Sequence, residues 1–286
     1  LQVQHQHGAG ITEGYVGDFQ TVSNLDGPDL TQLAELWYLH EFGDRGSWVQ
    51  VGRWDANASF AASELSGEFL NSSAGYPPTI ALVTFPDQNW GVAGNYQFSP
   101  AVGVRAGVFD SRPDGGPLVL VEPNYGYTLH GRDGLLKLGG WFNGNDFDDP
   151  NGSGAVSRDG AGLYAIWDQK LWGEAGFDGA GGGVFAQYGW TPRTLNQAEH
   201  YLGCGLNCNA PFASRPNDAC GLAAFTVLFS PRAALPQPSE TSFEGWYRAA
   251  LADWAWLKAD AQYVLNPGGL GSRNALVFGT RLETAF

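Results

Sequence analysis

The chain lacks features that would point to several common classes of protein. It has no methionine, and its 286 residues contain no run of about 18 apolar residues, so a helical membrane span is excluded. Lys and Arg number 15 against 29 Asp and Glu, giving a net charge of −14. Because a surface that binds nucleic acid needs an excess of basic residues, the sequence excludes nucleic acid as a partner.

Signals of enzyme chemistry are also missing. The chain has no Gly-x-Ser-x-Gly elbow and no phosphate-binding loop, and its 5 histidines are scattered without metal-ligand spacing. The 3 cysteines are an odd number for a disulfide framework. They leave open a hairpin disulfide between Cys208 and Cys220, or a less favoured metal site that would have only His200 as a nearby histidine. We expect no enzyme activity, no cofactor and no metal.

The C-terminal stretch, 274–286, carries the most informative pattern. One parity holds Leu276, Phe278, Leu282 and Phe286, while the other holds Val277, Gly279, Arg281 and Glu283. In a β-strand these two sets point to opposite faces, one apolar and one polar. A chain that ends on an aromatic residue of the apolar set is typical of bacterial outer-membrane barrels.

Similar alternation recurs along the chain and predicts about fourteen full strands plus a strand fragment at 1–7. The predicted strands are 14–25, 30–42, 47–54, 90–98, 101–109, 121–129, 135–143, 162–172, 182–190, 199–209, 219–229, 243–251, 254–264 and the C-terminal stretch. Because a closed barrel leaves no unpaired edge, the fragment indicates that a first N-terminal strand is missing. A closed fourteen-stranded barrel with an N-terminal tail is the alternative.

Short and long connections alternate between the predicted strands. This asymmetry is typical of an antiparallel transmembrane β-barrel with short periplasmic turns and longer outside loops. We therefore expect one all-β domain over 1–286 in the outer membrane, with the C-terminus on the periplasmic side. The longest connection, 55–89, is predicted to fold into the lumen as a constriction loop, with a short helix at 61–70. A second long loop is predicted between 142 and 160.

Several short stretches occur in a characteristic order. They are Val22-Ser23-Asn24-Leu25, Leu33-Ala34-Glu35-Leu36-Trp37, Val51-Gly52-Arg53-Trp54-Asp55-Ala56-Asn57 with Phe60, Phe69-Leu70-Asn71-Ser72-Ser73 with Pro77-Pro78, Gly139-Gly140-Trp141, Asp168-Gln169, Arg215-Pro216-Asn217-Asp218 and Asp260-Ala261-Gln262-Tyr263-Val264-Leu265-Asn266-Pro267-Gly268-Gly269. Together they resemble the carbohydrate-selective porin (OprB) family of Gram-negative outer membranes. The resemblance implies sixteen strands, a further N-terminal region, and passive uptake of glucose and similar small sugars.

A channel for sugars needs charged or amide groups for the hydroxyls and aromatic planes for the ring faces. Strand parity and the long connection supply candidates that we predict to line the pore or bind sugar. They are Glu35, Trp37, Arg53, Asp55, Asn57, Glu68, Arg105, Glu122, Lys137, Trp141, Glu244, Trp246, Arg248, Lys258, Asp260 and Arg281. Trp37, Trp141 and Trp246 are the expected stacking surfaces. The alternative is that the charges pair with each other and that the loop residues serve only as caps.

Two functions from different classes remain open at this point. The first is a sugar-permeable porin, whose partners are small sugars, outer-membrane lipids and lipopolysaccharide. The second is a structural or adhesive barrel within a larger surface assembly, with little role in transport. Either one could form a homo-oligomer or join a larger membrane assembly. A soluble all-β lectin is disfavoured by the alternating connection lengths.

Overall fold

The chain forms a single antiparallel sheet. The computed structural model describes residues 1–81, 88–110 and 115–285. Each strand pairs with its neighbours in chain order, from β1 to β14. These strands are Gln2–Gln6, Leu30–Phe42, Ser47–Trp54, Asn89–Gln97, Val102–Phe109, Leu118–Leu129, Arg132–Asp148, Val156–Gly173, Gly181–Trp190, Ala198–Asn209, Ala219–Phe229, Ser239–Ala252, Ala255–Leu265 and Ala275–Thr284. The predicted all-β antiparallel class is confirmed.

The two faces of the sheet differ as the alternation predicts. In β14, Leu276, Phe278 and Leu282 are exposed, whereas Val277 and Arg281 on the other face are half-buried. The terminal aromatic residue of the predicted pattern, Phe286, lies outside the described residues. The exposed face is therefore apolar along β14.

The sheet curls around residues 55–81 of the connection between β3 and β4, and we call this connection the long connection. Its Leu65 N–H donates to Asp168 of β8, and its Glu68 carbonyl accepts from Lys258 of β13. These strands are five spacings apart, roughly 24 Å on a flat sheet, whereas three residues of chain span about 10 Å. The face that touches the long connection is therefore the inner face of a curved wall.

The N-terminal fragment is a strand, β1, and it pairs antiparallel with the first half of β2. The prediction that the fragment 1–7 belongs to the sheet is thus confirmed for Gln2–Gln6. Among the described ranges, no ladder joins β1 to β14, so these two strands are the edges of the sheet. The sixteen-strand total implied by the family resemblance stays a prediction.

The predicted strand at 14–25 is wrong. This stretch starts in a π-helix, Thr12–Val16, and continues as irregular chain within the connection 7–29, which we call the first connection. Val16, Asp18, Gln20 and Val22 are all buried, so burial does alternate along it. The stretch docks onto the inner wall instead of pairing with a neighbouring strand. Because one side of it faces the wall, its burial alternates along the chain as it would in a strand.

Two predictions about the connections are also wrong. Residues 61–70 form turns and not a helix, because Asp168 and Glu244 of the wall accept the N–H groups of Leu65 and Leu70, which a helix would use internally. Besides the π-helix Thr12–Val16, the described residues form the α-helix Ser72–Gly75 and the 3₁₀-helices Ala56–Ala58, Pro231–Ala233 and Pro267–Gly269. The second long loop is reduced to 149–155, since β7 and β8 extend into the predicted interval. Within the described part of the chain, no helix is long and apolar enough to span a membrane.

The cysteines lie on the outer face of β10 and β11. Cys208 and Cys220 are direct cross-strand partners, as expected for residues that flank a hairpin. All three cysteines are free thiols in this structure.

Candidate functional site

The entry of the long connection is held by its own side chains. Asp55 accepts the N–H of Asn57 at 3.0 Å and caps the first 3₁₀-helix. The Asn57 amide then donates to the carbonyls of Phe60 and Gly75, at 3.1 and 3.2 Å. These two predicted pore residues therefore fold the connection back on itself.

A first wall anchor stands on β5 and β6. Glu122 is fully buried, and its Oε2 accepts the Ala61 N–H at 2.8 Å and the Tyr164 hydroxyl at 2.8 Å. Arg105 lies 3.5 Å from the other Glu122 oxygen and donates to the Ser59 carbonyl at 3.0 Å. The predicted acid and base thus form a pair that grips the backbone of the long connection.

A second anchor stands on β7 and β8. Lys137 is buried, and its Nζ donates to the Ala62 carbonyl at 2.7 Å and to Glu64 Oε1 at 2.8 Å. Asp168, also fully buried, accepts the N–H groups of Glu64 and Leu65 at 3.2 Å each. Asp168 was missed as a site residue, although its place on the inward parity of β8 marked it as a wall carboxylate.

A third anchor stands on β12. Glu244 is buried and accepts the N–H groups of Leu70 and Asn71, at 2.7 and 3.0 Å. Glu122, Asp168 and Glu244 therefore act alike, because each satisfies backbone donors of the long connection that would otherwise be buried without a partner. An unsatisfied buried donor costs about 1–3 kcal/mol, so these carboxylates favour one docked position.

Where Glu68 of the long connection meets the wall, it joins a group of charges on β12, β13 and β14. We call this set the charged belt: Glu68, Arg248, Lys258, Arg281 and Glu283. Lys258 is buried, and the other four are partly exposed. Lys258 Nζ is 2.8 Å from Glu68 Oε2 and 3.5 Å from Glu283 Oε1. Arg248 Nη1 also donates to Glu68, and Arg281 lies 3.9 Å from Glu283. Glu68 keeps 29% of its side chain exposed despite these partners. The belt thus presents acceptors and donors together on one accessible surface.

One further predicted residue, Asp260, lies next to the belt, and one belt residue, Arg281, contacts the first connection. Asp260 is buried and accepts from the Gln262 amide at 3.2 Å. Arg281, at the other side, donates to Asn24 of the first connection at 2.7 Å. Both connections therefore reach the inner wall near β13 and β14.

Two of the three predicted stacking tryptophans are not open to water. Trp141 and Trp246 do face inward, but they are only 3% and 4% exposed. Trp246 packs edge-on against Phe69 of the long connection, with ring centroids 5.7 Å apart, and Trp141 belongs to the cluster that contains Phe60. The prediction that the Trp141 and Trp246 indoles are exposed to water in the pore is wrong, because aromatic residues of the long connection cover them.

The remaining predicted residues stand on β2 and β3. Trp37 is 46% exposed, and its Nε1 donates to Glu35 at 2.9 Å, so an accessible indole and a carboxylate lie together. Arg53 is the cross-strand partner of the exposed Trp90 and donates to Gln32 at 2.8 Å. Partners in a ladder share a face, so Arg53 stands on the outer parity, apart from the other predicted pore residues.

The first connection is anchored by a carboxylate that sequence reasoning missed. Glu240 of β12 is fully buried and accepts the N–H groups of Phe19 and Gln20, at 2.7 and 2.9 Å. Beside it, Asp18 of the first connection is buried too. Burial, the nearby charge of Glu240 and a smaller contribution from Asp26 raise the pKa of Asp18 from 3.8 to about 7.

Docking of the first connection is expected to weaken as pH rises from about 4 to about 7. The docked form holds the Asp18 proton up to about pH 7, whereas an undocked Asp18 releases it near 3.8, so raising the pH favours undocking. Hydrogen exchange of the Phe19 and Gln20 amides, corrected for its intrinsic pH dependence, measures this directly. Asp18→Asn should keep both amides protected at about pH 8. Equal wild-type protection at low and high pH would show that Asp18 does not control docking.

The comparisons with known proteins agree with this architecture. The model of the carbohydrate-selective porin, OprB family, matches residues 1–286. Porin B of Pseudomonas aeruginosa is 22% identical over 353 residues, which cover 99% of this chain and 76% of that protein. The high-pH structure of Pseudomonas putida OprB has a TM-score of 0.86 at 18% identity, covering 98% of this chain and 80% of that one. The outer membrane channel DcaP of Acinetobacter baumannii has a TM-score of 0.53 at 10% identity, covering 91% and 88%.

These findings confirm the predicted transmembrane barrel and its outer-membrane location. They also favour the first of the two functions left open by the sequence. Because the family model covers the whole chain, the protein belongs to the carbohydrate-selective porin, OprB family, and it is an outer-membrane channel for the passive diffusion of sugars, not an enzyme.

Proposed function

We propose that glucose and similar small neutral sugars cross the barrel along the charged belt, where the long connection narrows the channel. One observation carries this proposal. Glu68 of the long connection is held by Arg248 and Lys258 of the wall, and it is still partly exposed. This accessible surface thus carries donors and acceptors that belong to both the connection and the wall.

The chemistry of the belt suits a neutral polyol. Each sugar hydroxyl both donates and accepts, so it can bond to the Glu68 or Glu283 carboxylates and to the Arg248 or Arg281 guanidinium groups. These charges already have partners, and a sugar therefore competes with existing ion pairs instead of meeting bare charges. Weak and exchangeable contacts of this kind allow a solute to leave as readily as it enters.

The other predicted residues divide into two groups under this proposal. The buried anchors, which include Glu122, Lys137 and Glu244, position the long connection and do not touch sugar. Trp37 is the accessible indole, and its face is free to stack on a sugar ring beside Glu35. The long connection would then act as the constriction, with its anchors setting the pore width.

The surroundings of the barrel follow from its exposed face. Apolar side chains such as Phe278 and Leu282 point away from the long connection, which supports contact with outer-membrane lipids and lipopolysaccharide. The short turns would face the periplasm and the long connection would start on the outer side. Assembly as a homo-oligomer or within a larger membrane complex stays a prediction.

Glu68→Gln is expected to weaken glucose block of the ion current about fivefold, which corresponds to about 1 kcal/mol for a lost charge-assisted contact. The measurement is current noise of single channels in a planar bilayer with glucose added. Glu13→Gln, which changes an exposed acid of the π-helix remote from the belt, is the matched control and should behave as wild type. A wild-type channel that glucose never blocks would refute the proposed function. Wild-type glucose block in Glu68→Gln would show that the sugar path does not run along the charged belt.

A further inference from the structure

A cavity of about 690 Å³ lies between the long connection and the turns that follow β8, β10 and β12. Its walls include Glu68 and Arg248 of the charged belt, together with residues that none of the preceding functions uses: Asn207, Asp178, Asp253 and Trp256. Sites for small molecules commonly enclose about 300–1,000 Å³, so this space suits a sugar of one or two rings.

Asn207 is the residue that indicates a ligand site in this cavity. It stands on the inward parity of β10 and is only 6% exposed, yet its Oδ1 has no hydrogen-bond partner among the described residues. A buried acceptor without a donor costs about 1–3 kcal/mol. The side chain lines the cavity, and a turn of its amide would bring the buried Oδ1 to face a donor that a ligand places there, which would remove that cost.

The unpaired charge of the cavity is negative. Glu68 already has two cationic partners, and Asp218 in the wall is paired with Arg215 at 2.8 Å. The carboxylate of Asp253 forms no ion pair in the described part of the chain. Asp178 forms none there either, but the Lys170 ammonium lies close to it, bound to the carbonyls of Phe177 and Gly179. A cationic ligand would therefore gain from this space, while an anionic one would be repelled.

Trp256 adds the apolar element. It comes at the start of β13, just after the turn that carries Asp253, and its side chain is half-buried against the cavity. An indole face packs against the C–H face of a sugar ring, while amide and carboxylate oxygens receive its hydroxyl or amine protons.

We propose that this cavity is a second sugar site, on the turn side of the constriction, which binds amino sugars more tightly than neutral sugars and excludes sugar acids. The site rests on the proposed function, because its ligand arrives through the channel. The sugar amine is held between Asp253 and the Asn207 carbonyl oxygen, and the ring lies on Trp256. The channel would thus retain amino sugars at its exit after neutral sugars have passed.

The test compares glucosamine, glucose and glucuronate as blockers added on the turn side of single channels at about pH 6, where the amine is protonated. Wild type should bind glucosamine about fivefold more tightly than glucose and show no block by glucuronate. Asp253→Asn should bring glucosamine down to the level of glucose. Asn207→Ala should weaken glucosamine block about fivefold, because the amine loses its acceptor.

Trp254→Ala is the matched control for Trp256→Ala, because both tryptophans belong to the β12–β13 hairpin and only Trp256 lines the cavity. Trp256→Ala should weaken block by both sugars, and Trp254→Ala should leave it unchanged. Equal affinity for glucosamine and glucose in wild type, or a preference that survives Asp253→Asn, would overturn the second site. Glucose block that depends on Glu68, together with glucosamine block that does not depend on Asn207, Asp253 or Trp256, would overturn the second site alone and leave the proposed function standing. Asp253 lies in a turn, so Asp253→Asn is expected to fold and can test the site even if Asn207→Ala or Trp256→Ala does not fold.

Discussion

Deleting residues 61–73 is expected to raise the single-channel conductance about twofold or more and to abolish block by glucose. The deleted stretch contains Glu68, the partner of Arg248 and Lys258, and Phe69, which fills the space between three wall aromatics. Without this stretch, Arg248 and Lys258 of the wall lose their carboxylate partner, and the wall aromatics lose the ring that covers them. The current through the barrel then meets a wider and wetter path, and a sugar can no longer bridge wall and connection.

The deletion needs a control for the shortening of a connection as such. Removing residues 151–154, an exposed stretch of the outer connection between β7 and β8, should leave conductance and glucose block unchanged. Replacing 61–73 by a flexible Gly–Ser segment of equal length should mimic the deletion, because that segment lacks the Glu68 carboxylate and the Phe69 ring that pack against the wall. Conductance that stays at the wild-type value in both altered channels would show that the long connection does not limit the pore.

The wall of this protein was predictable because its pattern is local. In β14, every second residue meets the same environment, so the parity of Phe278 and Arg281 could be deduced from thirteen neighbouring letters. The same reasoning predicted that Glu244, Arg248 and Lys258 face inward together, and the structure places them there. Alternation shows which face of the sheet a side chain occupies, and this was enough to predict the orientation of these wall residues.

The contents of the barrel were not predictable in the same way. Val16, Asp18 and Gln20 alternate in burial as a strand does, yet they lie on the inner wall without a ladder. Asp168 could be recognised as a wall carboxylate from its parity, whereas Glu240 lies before the predicted strand 243–251. Nothing local indicates which backbone N–H groups either carboxylate accepts. Those partners are more than one hundred residues away along the chain, so only the closed fold brings them together.

Trp246 shows most clearly how the filled lumen changes an expectation. Parity alone would place its indole in a water-filled pore, where truncation would leave stability unchanged. Phe69 packs edge-on against it at 5.7 Å, and the Lys258 ammonium lies 5.2 Å from the centre of its ring. Trp246→Ala is therefore expected to destabilise the protein by about 3 kcal/mol or more, as truncation of a large buried aromatic does.

Trp37→Ala is the matched comparison, because it removes the same side chain from a site that is 46% exposed. It should leave stability almost unchanged and weaken glucose block about fivefold, since stacking on an aromatic ring is worth about 1 kcal/mol. The folded fraction of both variants can be followed by heating in detergent, with glucose block measured on channels that stay folded. Trp246→Ala should also expose the long connection to limited proteolysis, because the cavity it leaves removes the surface on which Phe69 docks. If Trp246→Ala kept the wild-type melting temperature while Trp37→Ala lowered it, the assignment of one indole to packing and the other to the pore would be reversed.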